Sequence, residues 1–218
     1  MPRFRRLVVP GYPHHIIQRG VRRQTTFFGP TDYRAYLDLA VELLANSAIN
    51  VYSYCLMPNH IHAIVVPHDE RVLSTFFATL HRRYARRTNA LHEWRGHLWQ
   101  ERFYSVVMNE AHTIAAMRYA ELNPVRAGLV RLPHAWPWSS ARGNLGLVDD
   151  PIVDRHITGQ LVSNWRNYLG EDLGDDELES LRRQTRTGRP EGDDTFINQL
   201  EAKSGRPIHK KRRGRKPK

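Results

Sequence analysis

The 218-residue sequence predicts an α+β fold in which a ferredoxin-like antiparallel sheet carries helices on one face, followed by a mostly helical C-terminal extension and a basic tail. Two observations predict it. The hydrophobic patterns of residues 14–109 run strand, helix, strand, strand, helix, strand, which is the ferredoxin-like order. The periodicity then weakens after residue 136, and the chain ends in a basic run.

The first elements rest on local patterns. His14–Arg19 is typical of a short strand, which Gly20 ends. Residues 30–47 repeat apolar side chains at helical spacing. Residues 49–56 and 60–66 read as two strands joined by a tight turn.

The later elements follow in the same way. Residues 71–93 have a helical apolar stripe, and residues 97–109 hold the next strand. A third helix covers residues 110–122, and we expect the Asn123-Pro124 pair to end it. Beyond it, the run WPWSSARGNL predicts a packed loop. Short helices are expected over residues 160–169, 176–186 and 195–203.

Charge divides the chain into three parts. Residues 1–148 hold 18 arginines and 9 acidic residues, residues 149–202 hold 6 arginines and 13 acidic residues, and residues 203–218 hold 9 basic residues and no acid. This predicts a basic domain, an acidic helical extension, and a basic tail that is disordered alone. The basic parts point to a polyanionic partner, most simply nucleic acid.

Several classes of protein are not expected. No apolar run is long enough for a membrane span, and Pro10 and Gly11 interrupt the N-terminal apolar stretch, unlike a signal peptide. Cys55 is the only cysteine, so no disulfide framework is expected and the cytoplasm is the simplest location. No phosphate-binding glycine loop indicates a nucleotide cofactor.

His60 and His62 form the sharpest local motif. Side chains two residues apart on a strand share a face, so both imidazoles emerge side by side. Two neutral imidazoles can bind one divalent cation. The motif alone favours the simpler interpretation, two histidines on a half-exposed strand.

Tyr119 and Asn123 lie four residues apart on the third predicted helix and therefore share a face. A phenol can attack a phosphodiester if a metal polarises the phosphate. The alternative is a packing tyrosine and a helix-ending asparagine, and for Tyr119 alone that alternative is favoured.

These residues together resemble a known family. CLMPNHIHAIVVP, an LxxxxHRRY helix, GHLWQERFYS, RYAELNPVRAGLV and WPWSS occur in the order and spacing of the REP-associated tyrosine transposases, a branch of the single-tyrosine HUH transposases. The YPHHIIQRGVRRQTTF segment and the GRP-containing basic tail fit as well. The resemblance covers essentially the whole chain and implies that residues 1–148 are an HUH transposase catalytic domain.

The resemblance implies specific roles. His60 and His62 match the histidine pair that would bind Mg²⁺ or Mn²⁺, Asn123 matches the third metal ligand, and Tyr119 matches the nucleophile. It implies cleavage and rejoining of single-stranded DNA near REP-like hairpins through a 5′-phosphotyrosine, without a nucleotide cofactor. It also implies a monomer rather than a dimer, in the bacterial cytoplasm with the nucleoid.

Arginines are expected to hold the DNA, either through the loop after the first strand, through a stripe on the second helix, or through the tail. The expected contacts are Arg19, Arg22, Arg23, Arg82, Arg83, Arg86, Arg87, Arg212, Arg213 and Arg215. Trp99, Phe103 and Tyr104 either stack on unpaired bases or pack, and packing is favoured for at least two of them.

Two alternatives stay open. A non-catalytic single-strand-binding module could use the same sheet and basic surface, but it would not need the set His60, His62, Tyr119 and Asn123. A replication initiator or conjugative relaxase would share the chemistry, but such proteins usually differ in motif order or carry helicase-like extensions.

Overall fold

Four antiparallel strands form the central sheet. In the computed structural model, which describes residues 6–171 and 174–209, they are β1 (His14–Arg19), β2 (Ile49–Met57), β3 (His60–Pro67) and β4 (Tyr104–Val107). Their order across the sheet is β2-β3-β1-β4. The predicted α+β, ferredoxin-like fold is thereby confirmed.

Helices make up most of the rest. They are α1 (Pro30–Leu44), α2 (Val72–Leu91), α3 (Glu110–Arg126), α4 (Ala141–Asn144), α5 (Arg155–Leu161), α6 (Trp165–Gly170), α7 (Asp175–Thr187) and α8 (Asp194–Ser204). Within the described ranges, no helix is long and apolar enough to cross a membrane.

The two faces of the sheet have separate cores. On one face, α1 and α2 pack against alternate residues of β3 such as Ile61 and Val65. On the opposite face, Ile64 packs against α3 through Ala116 and Met117. Because strand residues alternate between faces, His60 and His62 lie on the α3 side.

A β-bulge at Tyr52 determines which residues of β2 face α3. Val51 pairs with Val65 and Ser53 pairs with Ile64, so Tyr52 is the extra residue. A bulge changes the parity of the alternation. It therefore turns Ser53 and Cys55 toward α3, while Tyr54 packs on the α1 and α2 side.

The third helix does not end before Asn123-Pro124, contrary to the prediction. It continues through Pro124 to Arg126. The end is a Schellman motif, in which Gly128 N–H donates to Val125 O and Leu129 N–H donates to Pro124 O, both at 2.9 Å. Gly128 has φ of 68°, so the left-handed conformation that glycine tolerates, and not proline, ends the helix.

Two other expected elements are shorter than predicted. The strand expected over 97–109 is regular only in β4. Before it, Gln100 N–H donates to Arg19 O at 2.8 Å as in a strand, but at Glu101 O the donor is the Gln18 side chain, also at 2.8 Å. The helix expected over 160–169 is two helices, α5 and α6, and the Asn164 side chain caps the second by accepting from Asn167 N–H at 3.0 Å.

The segment Trp136–Ser140 runs along the outer edge of β2. Leu56 N–H donates to Trp138 O at 2.8 Å, and Ser140 N–H donates to Tyr54 O at 3.0 Å. The Trp136 indole N–H also donates to Leu56 O at 3.0 Å. The packed loop predicted from WPWSSARGNL is thus an irregular extra strand beside the sheet over Trp136–Ser140, and its second part is the short helix α4 instead of a loop.

The acidic extension packs against the rest of the chain. Trp165, Tyr168 and Leu169 of α6 share an apolar cluster with α3. Phe196 and Leu200 of α8 pack with residues before β1 and in β4. The boundaries 1–148, 149–202 and 203–218 stay a prediction, and Arg212, Arg213 and Arg215 lie outside the described residues.

Candidate active site

His60 and His62 lie together at the start of β3. Their ring centroids are 5.0 Å apart and the rings are nearly perpendicular. The predicted sharing of one strand face is confirmed. His60 is half-buried and His62 is 3% exposed.

Each of these imidazoles is oriented by a hydrogen bond at Nδ1. His60 Nδ1–H donates to Asn59 Oδ1 at 2.6 Å, because an amide oxygen can only accept. His62 Nδ1 lies 2.8 Å from His15 Nε2, within hydrogen-bonding distance. In both rings Nε2 is the nitrogen left for a further ligand.

Sequence reasoning missed His15. The register places Ile17 opposite His62, which puts His15 on the same face as the histidine pair. His14 points the other way, where its Nδ1–H donates to Tyr12 O at 2.7 Å.

Burial keeps the site histidines neutral. It lowers the pKa of His60 and of His15 to about 4. It also lowers the pKa of His62 well below its usual value, with smaller contributions from His15, His60, Arg19 and Arg126. Neutral imidazoles are the form that binds metals.

Tyr119 faces the histidines from α3. Its ring centroid is 5.5 Å from that of His62 and 6.4 Å from that of His15. The side chain is half-buried. One chain therefore brings the predicted nucleophile beside the predicted metal ligands.

Arg126 links Tyr119 to Asn123. Its guanidinium carbon lies 4.1 Å from the centre of the Tyr119 ring. Its Nη2 donates to Tyr119 O at 2.9 Å and to Asn123 Oδ1 at 3.0 Å. Sequence reasoning missed Arg126, because the helix was expected to end at residue 122.

Asn123 is buried with half of its amide unpaired. It is 9% exposed, and within residues 6–171 and 174–209 its Nδ2 has no hydrogen-bond partner. Its Oδ1 accepts from Arg126. An unpaired buried polar group is costly, and such groups in native structures often mark a binding role.

Glu121 anchors α3 from its other side. Two residues from Tyr119 and Asn123, it points away from them, since successive helix residues turn about 100°. Its Oε1 accepts from Ser140 Oγ at 2.6 Å, from Asn144 Nδ2 at 2.7 Å and from Ser53 Oγ at 3.2 Å. Burial raises the pKa of this carboxyl to about 7, although the three hydrogen bonds oppose the rise.

Arg19 is the predicted DNA contact closest to the histidines. It pairs in register with His60 and is among the charges that lower the pKa of His60. Arg22 and Arg23 follow in an exposed 3₁₀ turn, and both have positive φ, 53° and 62°. Such conformations are strained for residues other than glycine.

The arginine stripe of α2 lies on the other face of the sheet from Tyr119. Arg83 forms an ion pair with Glu42 at 2.6 Å and Arg87 forms one with Asp32 at 2.8 Å, so both connect α2 to α1. Arg82 and Arg86 are exposed. Phosphate contacts by this stripe stay a prediction.

Two of the three aromatics that could stack or pack are packed, as predicted. Trp99 is 9% and Phe103 is 7% exposed, both in the core under α2. Tyr104 is 47% exposed.

No group of three His, Cys, Asp or Glu side chains in the described part of the chain is placed to hold a metal ion. A cation at His60 and His62 would therefore need an amide, water or substrate oxygen as a further ligand. Asn123, one turn beyond Tyr119 on α3, is the amide that the sequence predicts for this role.

Comparison with known proteins identifies similar sequences and folds. Residues 9–123, more than half of the chain, match the model of the family described as "Transposase IS200 like". The chain is also similar to a solved structure of a REP-associated tyrosine transposase bound to a REP hairpin, with a TM-score of 0.55 and 20% identity over 71% of this chain and 93% of that chain. At this identity the likeness shows the fold. No curated protein matches the chain.

Proposed function

The chain belongs to the family of IS200-like transposases, and from this premise we propose that it cleaves and rejoins single-stranded DNA beside REP-like hairpins. Tyr119 is the proposed nucleophile. The REP-like hairpin as substrate is supported by the hairpin bound to the structural neighbour. The basic charge of residues 1–148 suits a polyanionic substrate.

One observation carries the proposal. A tyrosine ring lies 5.5 Å from the second of two neutral histidines that share a strand face. A packing role for Tyr119 needs no histidine pair beside it. Cleavage of a phosphodiester needs both the tyrosine and the histidine pair, because charge on the phosphate oxygens must be neutralised by a bound cation while a nucleophile attacks.

Mg²⁺ or Mn²⁺ is the proposed cofactor, and the donor set fits it. Hydrogen bonds at Nδ1 orient both imidazoles and leave Nε2 of His60 and of His62 for the cation. Asn123 Oδ1 is the proposed third protein ligand, because an amide oxygen has two lone pairs and can bind a cation while it accepts from Arg126. A bound cation would neutralise the non-bridging phosphate oxygens and orient the phosphate.

The chain's own residues carry the covalent step. Attack by Tyr119 Oη on phosphorus forms a phosphotyrosine bond and breaks the bond from phosphorus to the 3′ oxygen. The phenol proton is lost and the departing 3′ oxygen gains one, which leaves a free 3′-hydroxyl. Attack by a 3′-hydroxyl on the phosphotyrosine reverses the step, so no nucleotide cofactor is needed.

Arg126 positions the nucleophile in this proposal. Its stacking on the ring of Tyr119 and its bond to Tyr119 O restrict how the ring can turn. Its charge also lies beside the phosphate that Tyr119 would attack, where it favours the anionic transition state.

We also propose that the protein acts as a monomer, because Tyr119 and His62 meet within one chain. The bacterial cytoplasm, with association to the nucleoid, is the proposed location.

The test is covalent adduct formation. Purified protein is incubated with labelled single-stranded hairpins and Mg²⁺ or Mn²⁺ and then separated on a denaturing gel. We expect a metal-dependent protein–DNA band that Tyr119→Phe abolishes while hairpin binding is retained. Tyr52→Phe, which removes the hydroxyl of another half-buried tyrosine, is the matched control and should keep the band.

The opposite result has a definite meaning. Tight hairpin binding without an adduct, across several repeats and both metals, would overturn catalysis. It would favour a non-catalytic single-strand-binding protein. In such a protein the bond between Asn123 Oδ1 and Arg126 would have a structural role only.

A further inference from the structure

Three aromatic rings form an exposed cluster beyond the end of α2, the ring cluster of Phe28, His92 and Trp94. The His92 and Trp94 rings stack with centroids 4.6 Å apart. The Phe28 centroid lies 4.5 Å from that of His92 and 5.5 Å from that of Trp94. Phe28 is 44% and Trp94 is 43% exposed, so this packing leaves ring surface in water.

The backbone holds the ring cluster in place. Trp94 N–H donates to Asn89 O at 2.8 Å, and Asn89 Nδ2 donates to Gly96 O at 3.0 Å. Phe28 N–H donates to Asp32 Oδ2 at 2.9 Å, while the other oxygen of Asp32 pairs with Arg87. A surface fixed before binding loses little freedom when a ligand arrives.

The ring cluster lies at the end of the sheet where His60 begins β3. Phe27 N–H, next to Phe28, donates to Pro58 O at 3.1 Å. Pro58 is in the two-residue turn that leads into His60. The side chain of Asn59 in the same turn donates to Arg23 O at 3.0 Å and accepts from His60.

Basic residues are close to the ring cluster along the chain. Arg22 and Arg23 are exposed in the loop that leads to Phe28, and Arg95 is exposed next to Trp94. Glu93 is the only acidic residue in the stretches 22–29 and 91–97. Exposed rings among arginines fit a ligand that has both flat apolar surfaces and negative charge.

We propose that the ring cluster binds unpaired nucleobases of single-stranded DNA by stacking, with the neighbouring arginines on its phosphates. This inference rests on the proposed function, because it assigns part of the same strand to a surface at the end of the sheet where His60 begins β3. Stacking surfaces tolerate any base, since every base has a π-face. The ring cluster therefore supplies affinity for unpaired strand rather than sequence specificity.

The test measures how tightly the full-length protein binds labelled oligothymidylate and a fully paired duplex. Fluorescence anisotropy gives both affinities over a range of salt concentrations. Phe28→Ala and Trp94→Ala should each weaken oligothymidylate binding roughly 5- to 100-fold and leave duplex binding unchanged. The salt dependence should keep its slope, because stacking releases no counterion. Trp94→Phe should restore most of the affinity.

The matched control is Leu147→Ala, which shortens a side chain that is 52% exposed and far from the ring cluster in the chain. Circular dichroism and thermal melting should show that all variants fold. Equal oligothymidylate affinity in wild type and both alanine variants would overturn the stacking surface. So would a failure of wild type to bind oligothymidylate at all.

The outcomes separate this inference from the proposed function. A Tyr119-dependent adduct together with unchanged binding by the ring variants would overturn the ring cluster alone. Ring-dependent binding without any adduct would overturn the cleavage reaction alone. A sedimentation experiment in which the ring variants dissociate a wild-type dimer would overturn base stacking in favour of self-association.

Discussion

The guanidinium of Arg126 stacks on the ring of Tyr119, with its central carbon 4.1 Å from the ring centre. The same guanidinium donates to Asn123 Oδ1, so one exposed arginine contacts both the proposed nucleophile and the proposed third metal ligand. All three residues belong to the last two turns of α3. The geometry of the proposed reaction therefore depends on where this helix ends.

Arg126→Ala is expected to slow adduct formation by about tenfold or more, since cation–π contacts contribute roughly 0.5–2 kcal/mol and the Asn123 amide would lose its fixed orientation. Arg126→Lys should recover only part of the rate, because an ammonium cannot form the same forked contacts. Single-turnover adduct formation measures this. Arg142→Ala, at an exposed arginine of α4, is the control, and an equal loss there would refute a specific role.

His15→Leu is expected to weaken Mn²⁺ binding by about 10- to 100-fold, the usual effect of removing a partner that orients a ligating histidine. His15→Gln should retain much of the affinity, because its side-chain oxygen can accept from His62 Nδ1–H. Calorimetric titration with Mn²⁺ gives both values. His97→Ala, at an exposed histidine, is the control. If His15→Leu and His97→Ala bind Mn²⁺ with the same affinity, His15 has only a packing role.

Glu121→Gln is expected to stabilise the fold above neutral pH. The carboxyl has a folded pKa of about 7 and an ordinary value of 4.5, so the folded state holds the proton more tightly. Its contribution to the free energy of unfolding is complete below pH 4.5 and is lost as pH rises through 7. The variant should therefore gain up to roughly 3 kcal/mol over wild type between pH 4.5 and 7.5.

Glu121→Leu separates charge from hydrogen bonding. It leaves Ser140 and Asn144 without their buried acceptor, and we expect it to be less stable than Glu121→Gln by about 3 kcal/mol or more at every pH. Urea unfolding at several pH values measures both variants. A free-energy difference between Glu121→Gln and wild type that does not change with pH would show that the carboxyl keeps an ordinary pKa.

His81 is expected to make the fold sensitive to acid. Burial lowers its folded pKa to about 3, and Tyr36 Oη lies 3.0 Å from its Nε2. In the unfolded chain the pKa of His81 has its ordinary value of 6.5. On acidification the unfolded chain therefore takes up the proton before the folded protein does. The contribution of His81 is therefore present above pH 6.5 and falls as pH drops toward 3.

The expected loss from His81 is roughly 2 kcal/mol between pH 6.5 and 5. His81→Gln should lower the free energy of unfolding at pH 7 but give a shallower decline on acidification than wild type. Urea unfolding at several pH values gives the change of the free energy of unfolding with pH for each protein. The difference between these two pH dependences isolates this residue from the other histidines. Equal pH dependences would contradict the assignment.

Local spacing was enough to predict the parts of the site that lie on one element. His60 and His62 share a face because strands alternate, and Tyr119 and Asn123 share a face because helices repeat. The same local reasoning placed the strand and helix order of the first 122 residues. These features depend on neighbours within a few positions of the chain.

The missed parts depend on distant residues. His15 reaches His62 only because β1 pairs with β3 in one register. Arg126 contacts Tyr119 only because α3 continues through Pro124 to the Schellman motif. No sequence pattern near His15 identifies His62 as its partner, and none near Arg126 identifies Tyr119. The only local signals were the presence of a histidine at position 15 and of an arginine seven residues after Tyr119.

The arginine stripe of α2 shows the same limit. Its spacing correctly indicates an exposed, basic helix face. The acidic partners of Arg83 and Arg87 lie in α1, some 40 to 55 positions earlier in the chain. Only the packing of α1 on α2 brings these charges together, so sequence spacing could not separate ion pairing from phosphate binding.

The segment Trp136–Ser140 covers the edge of the sheet that β2 would otherwise expose. It occupies hydrogen-bonding groups of Leu56 and Tyr54 that an edge strand would otherwise offer to any extended chain. If this segment detached, the apolar run of β2 would become a template for pairing with other molecules. We therefore expect the five residues of WPWSS to protect this edge from pairing with other chains.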